Sequence, residues 1–171
     1  SEKFALGTGL RFIYSNLAPG QIVGTQETKA GVSVGFDLAG LFKTGHFSMG
    51  GIQSQASFGF NLANMGPAIQ YSDSEQSDPL PTNMRFGWSY QMNFDEYNSI
   101  RIVNDFTKLL VDRDSTGTKS WSSAIFSSWK SIEINAGTQD DADIQTLSLA
   151  NQLTIGLGLE YWYNNLFALR G

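Results

Sequence analysis

The side chains that could do covalent or metal chemistry are few. The 171 residues include no Cys and one His. Without Cys there is no thiolate nucleophile, no thiolate metal site and no disulfide framework. A single imidazole excludes multi-His metal centres. That imidazole, His46, follows Lys43-Thr44-Gly45. It has no orienting partner nearby and no G-x-S-x-G nucleophile elbow accompanies it, so it reads as a solvated turn residue. Gly7-Thr8-Gly9 and Gly156-Leu157-Gly158 lack the full G-x-G-x-x-G spacing and a following helix, and they read as strand glycines. Asp73, Glu75 and Asp78 crowd one short stretch, and Asp112, Asp114, Asp140, Asp141 and Asp143 recur later. Hard oxygens of this kind can hold Ca²⁺. The EF-hand pattern is missing, so a solvated loop is the better reading and a divalent ion the alternative. The expectation is a protein that is not an enzyme, with no cofactor and no metal site.

The remaining candidate is apolar. Trp121, Ile125 and Trp129 stand four residues apart, which places them on one face of a helix. Ser120 before Trp121 is a weak N-cap candidate. The three form a candidate partner-binding loop. A face of this kind either covers the protein's own surface or docks a partner.

The elements around these residues have period two. Met84, Phe86, Trp88, Tyr90, Met92 and Phe94 alternate with Asn83, Arg85, Gly87, Ser89, Gln91 and Asn93. Phe4, Leu6, Leu10, Phe12 and Tyr14 repeat the pattern, as do Val32, Val34, Phe36 and Leu38, and Ile155, Leu157, Leu159, Tyr161 and Tyr163. The alternation predicts strands over about 3–14, 26–39, 47–63, 82–94, 99–111, 150–163 and 166–171. Asn104 beside Asp105 breaks it, which predicts a bulge or a buried polar pair. Pro79 and Pro81 cannot donate to a sheet ladder and mark a corner before the strand at 82. The joins at 40–46, 95–98 and 164–165 are short; those at 15–25, 64–81 and 112–149 are long. Short and long alternate strictly, so a meander puts every long loop at one end. Outer-membrane barrels are built this way.

Composition agrees. Charged residues make up 16 %, Gly 18 of 171 and aromatics 13 %, against about 25 % charged in ordinary soluble domains. The net charge of -5 argues against a nucleic-acid partner. No apolar run is long enough for a membrane helix, but a barrel strand needs none. The second strand face is Gly, Ser, Asn and Gln rather than charge, which suits a barrel lumen; the bulky face suits lipid. Tyr14, Tyr71, Tyr97, Tyr161, Trp162 and Tyr163 lie near predicted strand ends, where aromatic rings favour the membrane boundary. A soluble β-sandwich is the competing fold. Seven strands do not close a barrel, so the 171 residues are expected to be an incomplete part of a longer one. Ser1-Glu2-Lys3 carries no signal peptide, the expectation for a trimmed product or a chain whose beginning is missing.

Several stretches carry a resemblance. They are Asn64 to Asp73, Asp78-Pro79-Leu80-Pro81-Thr82-Asn83 with Met84 to Gly87, Asp95 to Ser99, Asp105 to Val111, and Gly158-Leu159-Glu160-Tyr161-Trp162-Tyr163-Asn164-Asn165. Together they resemble the PorV family (also called LptO), outer-membrane barrels of the type IX secretion system related to the FadL transporters. The resemblance implies a transmembrane antiparallel up-and-down β-barrel in the outer membrane of a Gram-negative bacterium. It implies a non-enzymatic shuttle that receives cargo carrying the type IX C-terminal signal from the large translocon barrel. The shuttle passes that cargo to a PorU-type sortase for attachment to lipopolysaccharide at the cell surface. In some systems it also serves gliding motility. The resemblance places no cargo site on particular residues. The alternative function is a FadL-type transporter of hydrophobic small molecules.

Overall fold

The structure is a computed structural model. It describes all residues except 1–2, 17–19, 21, 24–25, 28, 72–76, 115–116 and 136–143. The wall is one antiparallel sheet of eight strands: β1 (Phe4–Ser15), β2 (Gly31–Lys43), β3 (Phe47–Met49), β4 (Ile52–Met65), β5 (Asn83–Asn93), β6 (Asn98–Leu109), β7 (Leu153–Tyr163) and β8 (Phe167–Arg170). Their order is β1-β2-β4-β5-β6-β7-β8, with β3 folded beside β4. Apart from the short β3, the strands pair in chain order, the up-and-down topology, and the sheet is not closed on itself. No helix among the described residues is long and apolar enough to cross a membrane.

The turns show why the chain reverses where it does. Gly50 (φ 61°) and Gly51 (φ 83°) both take left-handed backbone and join β3 to β4. That is the two-residue reversal matched to strand twist, and it divides the strand expected over 47–63 into two. Asn164 (φ 51°) and Asn165 (φ 53°) do the same between β7 and β8, since Asn tolerates this conformation best after Gly. At Asp95, Oδ1 accepts the N–H groups of Tyr97 and Asn98, each at 2.7 Å, closing the turn from β5 to β6. The Asn98 amide together with these N–H groups holds the Asp95 carboxyl below its ordinary range. The longer connections carry small two-stranded ribbons, two of them in the connection after β6: Ile22–Val23 with Gln26–Glu27, Ile69–Gln70 with Ser77–Asp78, Arg113–Asp114 with Gly117–Thr118, and Ile132–Asn135 with Ile144–Leu147.

Register sorts the wall into two faces. Across β4, β5, β6 and β7, Phe60, Phe86, Phe106 and Ile155 line up in one row, and Phe58, Trp88, Asn104 and Leu157 in the next. On β1 and β2 this apolar face carries Phe4, Leu6, Leu10, Phe12 and Tyr14 with Val32, Val34 and Phe36. The other face carries Arg11, Asp37, Lys43, Arg85, Arg101, Asp105, Glu160 and Arg170 among Gly, Ser, Asn and Gln. Most of its charges are paired: Arg11 Nη2 lies 2.6 Å from Asp37, Arg85 3.8 Å from Asp105, and Arg101 3.7 Å and Arg170 2.9 Å from Glu160. Trp162, expected with the boundary aromatics, belongs to this polar face. It is opposite Ser99 and Ala168, and its Nε1 donates to Glu160 at 3.2 Å.

Asn104 and Asp105 produce no bulge; β6 pairs without a register break on both sides. Asn104 is buried instead, with Nδ2 donating to the Gly156 carbonyl at 2.8 Å. The bulge is elsewhere, between Phe36 and Leu38 of β2. There Ala63 and Asn64 of β4 face the single residue Asp37. Asn64 turns left-handed (φ 60°) and its N–H donates to the Asp37 carboxylate at 2.8 Å.

Among the described residues most of the large side chains on the apolar face are exposed. Leu10 and Phe12 are 77 % and 72 % exposed there, as is Leu157 at 77 %. The buried apolar residues are Met65, Ile69, Leu80, Leu110 and Ala124. All five sit at the end of the sheet where the long connections gather, so the wall itself has no core of the soluble kind.

Candidate functional site

Two segments cover that end, one on each side of the wall. The described parts of the connection 66–82, residues 66–71 and 77–82, fold over the polar face. Ser33 Oγ donates to the Pro67 carbonyl at 2.7 Å, and Tyr71 Oη donates to Ser15 Oγ at 3.0 Å. Gly31 leaves room for it: a Cβ there would lie 2.8 Å from Ile69 and 2.9 Å from Tyr71. Leu80 approaches Gly35 and Gly66, and Gly66 sits so close to β2 that a Cβ would stand 2.0 Å from the Val34 carbonyl oxygen. The Pro79 and Pro81 corner is fastened by Asn64 and Asn83, whose Nδ2 groups each donate to the Pro81 carbonyl at 3.0 Å. Thr82 completes the join, with Oγ1 donating to the Asn64 carbonyl at 2.8 Å and its own carbonyl accepting from Leu110 N at 2.7 Å.

The connection after β6 covers the apolar side. Lys108 is in register with Met84 and Leu153, which puts its ammonium on the apolar face. It is only 2 % exposed. Its Nζ donates to Gln152 Oε1 at 2.7 Å and lies 5.6 Å from the centre of the Trp129 ring. Gln152 Nε2 donates in turn to the carbonyls of Lys130 at 2.8 Å and Leu147 at 3.2 Å. One amide thus ties both arms of the long connection to the wall. The helix of this connection, α1 (Trp121–Ser127), buries Ala124.

Asp112 is the electrostatic centre here. Its side chain is 4 % exposed, 2.8 Å from Lys119 Nζ and 3.1 Å from Lys130 Nζ. The hydrogen bond from Lys119, then the Ser127 hydroxyl and Lys130, hold its carboxyl far below the ordinary carboxylate range. Desolvation works the other way and loses, because the cover over the carboxylate is a local layer of cations rather than a deep apolar core.

The sequence-derived candidates separate. Trp121 lines a groove of about 310 Å³ with Pro67, Leu80, Leu110 and Ala124, between the two covering segments. Trp129 lies past the end of α1. Its Nε1 donates back to the Ile125 carbonyl at 2.8 Å while its ring covers Lys108. The spacing of four therefore does not put it on the helix with Trp121 and Ile125. Ser120 makes no side-chain cap; its hydroxyl donates to Ser123 Oγ at 3.1 Å. His46 is exposed in the turn after β2. Asp73 and Glu75, with Asp140, Asp141 and Asp143, lie outside the described residues, and so does the side chain of Asp114. Among the described residues no group of three His, Asp or Glu side chains could hold a metal ion. Lys108 and Gln152 were not singled out from sequence. The signal for Lys108 was present, since it alone places charge on the apolar register of the wall.

A family model described as type IX secretion system protein PorV matches residues 1–116, from β1 into the connection after β6. Comparison with curated proteins gives no match. The matched stretch holds six of the eight wall strands and the whole of the 66–82 segment. It covers well over half of the 171 residues, and by that match the chain belongs to the PorV family of the type IX secretion system.

Proposed function

We propose that this chain is wall from an outer-membrane barrel that moves protein cargo rather than catalysing a reaction. In this reading the apolar face meets acyl chains and the polar face lines the interior. Cargo carrying the C-terminal signal arrives from the translocon barrel and leaves to a PorU-type sortase at the cell surface. Lipid and lipopolysaccharide surround the wall, and Trp121, Ile125 and Trp129 belong to the loop that meets the protein partners. The observation that carries the proposal is the two-faced single layer: in a row such as Phe60, Phe86, Phe106 and Ile155, three of the four apolar side chains are exposed among the described residues. Leaving large apolar side chains of this kind in water forfeits about 1.5–3 kcal/mol each, which a lipid environment removes. The 66–82 segment over the polar face favours a shuttle, because it obstructs the interior at the long-loop end.

A FadL-type transporter of hydrophobic molecules is the second reading. A shallow hollow of about 310 Å³ favours it, lined by Leu41, Gly59, Gly87 and Val103 beside Arg85 and Asp105. Affinity capture of the full-length protein from outer membranes in mild detergent separates the two. The shuttle reading expects a very large barrel or a sortase to come with it; fatty acids without either protein would overturn it.

A further inference from the structure

The long connection after β6 presents one feature that neither cargo handling nor the wall explains. The outward pole of α1 is Phe126, 83 % exposed, with Trp121 and Trp129 exposed on either side of it. The helix has no charged residue. Its nearest described charges are Lys119 and Lys130 on one hand and Asp112 on the other. Asp112 is enclosed beneath those lysines, whereas the Lys130 side chain is 52 % exposed. The surface therefore shows aromatic rings and positive charge.

Its position decides what can cover it. Trp129 and Gln152 hold the connection to Lys108, and Lys108 stands on the apolar face of the wall, in register with Met84 and Leu153. Phe126, two residues past the buried Ala124, faces away from the groove that Ala124 and Trp121 share with Pro67 and Leu80, and Trp129 ties its segment to the apolar rim of the wall. We infer that the segment Trp121–Lys130 is a lipid-interface anchor. In it Phe126 enters the acyl region of the outer leaflet, the indole of Trp129 lies at the headgroup boundary, and Lys130 meets lipid phosphate. Aromatic side chains with flanking cations are the composition such interfaces select. Lys108 is the positioning residue: its contacts with Trp129 and Gln152 fix the segment against the rim. The inference rests on the outer-membrane reading above and adds that this loop is lipid-seated, leaving the Trp121 groove side for protein.

The absence of Cys from the 171 residues makes the test direct. In the full-length protein, Phe126→Cys and Leu157→Cys are each labelled with an environment-sensitive fluorophore. The protein is reconstituted in vesicles of phosphatidylcholine and phosphatidylglycerol, with and without doxyl-labelled acyl chains. Leu157 reports the wall and Phe126 the anchor. The expected result is blue-shifted emission and loss of intensity with doxyl lipid at both positions, with little loss to aqueous iodide. Doxyl quenching at 157 with iodide quenching at 126 would overturn the anchor alone. Protection of 126 from both quenchers, with 157 still quenched by doxyl lipid, would overturn it in favour of a protein occupant. Absence of doxyl quenching at both positions would overturn the membrane reading as well.

Discussion

At the residue scale the structure turns on two charges that alternation leaves in unusual surroundings. Asp112 is enclosed by Lys119 and Lys130, and hydrogen bonds to a charged partner are each worth about 1.5–3 kcal/mol. Asp112→Asn is expected to loosen the long-loop end by about 2 kcal/mol, read as faster hydrogen exchange across residues 110–130 with β4 and β5 unchanged. The pH dependence has a definite sign. The folded carboxyl titrates below its ordinary value, so its stabilisation is complete above the unfolded value near 3.9. It is lost as pH falls through the lower folded value. Protection from exchange at 110–130, taken relative to the unstructured rate at each pH, should therefore be flat at neutral pH and fall in acid, and the Asn variant should lack that fall. Of these two charges, Lys108 was legible in sequence, because a lysine in step with Ile102 and Phe106 contradicts the apolar face. The role of Asp112 was not, since its partners lie 7 and 18 residues along the chain and no spacing rule links them.

At the scale of elements, glycine sorts by what lies beside it. Gly66→Ala sets a methyl against the Val34 carbonyl, while Gly7→Ala meets nothing within 4 Å. The first is expected to destabilise the protein by about 1–3 kcal/mol and the second by a few tenths at most, compared by thermal unfolding in detergent. Leu110, 1 % exposed between the two covering segments, gives a second handle. Leu110→Ala should cost about 2–5 kcal/mol and expose the 66–82 segment to protease. Strand identity was readable here because one face is mostly bulky and apolar and the other mostly small or polar. The Gly50–Gly51 reversal was missed because β3 and β4 keep similar composition through it. The bulge was sought at Asn104 and found at Asn64: a polar residue in apolar register can be satisfied by a neighbouring carbonyl, whereas Asp37 capping a left-handed Asn64 depends on which strands meet.

At the scale of the whole molecule, the account depends on a single layer with lipid on one side. Arg substituted on the lipid face of a barrel costs about 2–4 kcal/mol near the bilayer midplane, and much less in the lumen. Ile102→Arg should therefore impair folding into vesicles strongly, and its neighbour Val103→Arg weakly, as measured by urea titration. The two-faced pattern was visible from sequence. The closing of the polar side by 66–82 and of the apolar rim by the α1 connection was not, because both arise from contacts between distant loops. The most direct test places spin labels one at a time from residue 155 to 160 on β7 in the reconstituted full-length protein. Relaxation by oxygen, which partitions into lipid, is compared at each site with relaxation by a water-soluble nickel complex. Oxygen should dominate at Ile155, Leu157 and Leu159, and nickel at Gly156, Gly158 and Glu160. The opposite phase, or no alternation, would contradict the assignment of the apolar face to lipid.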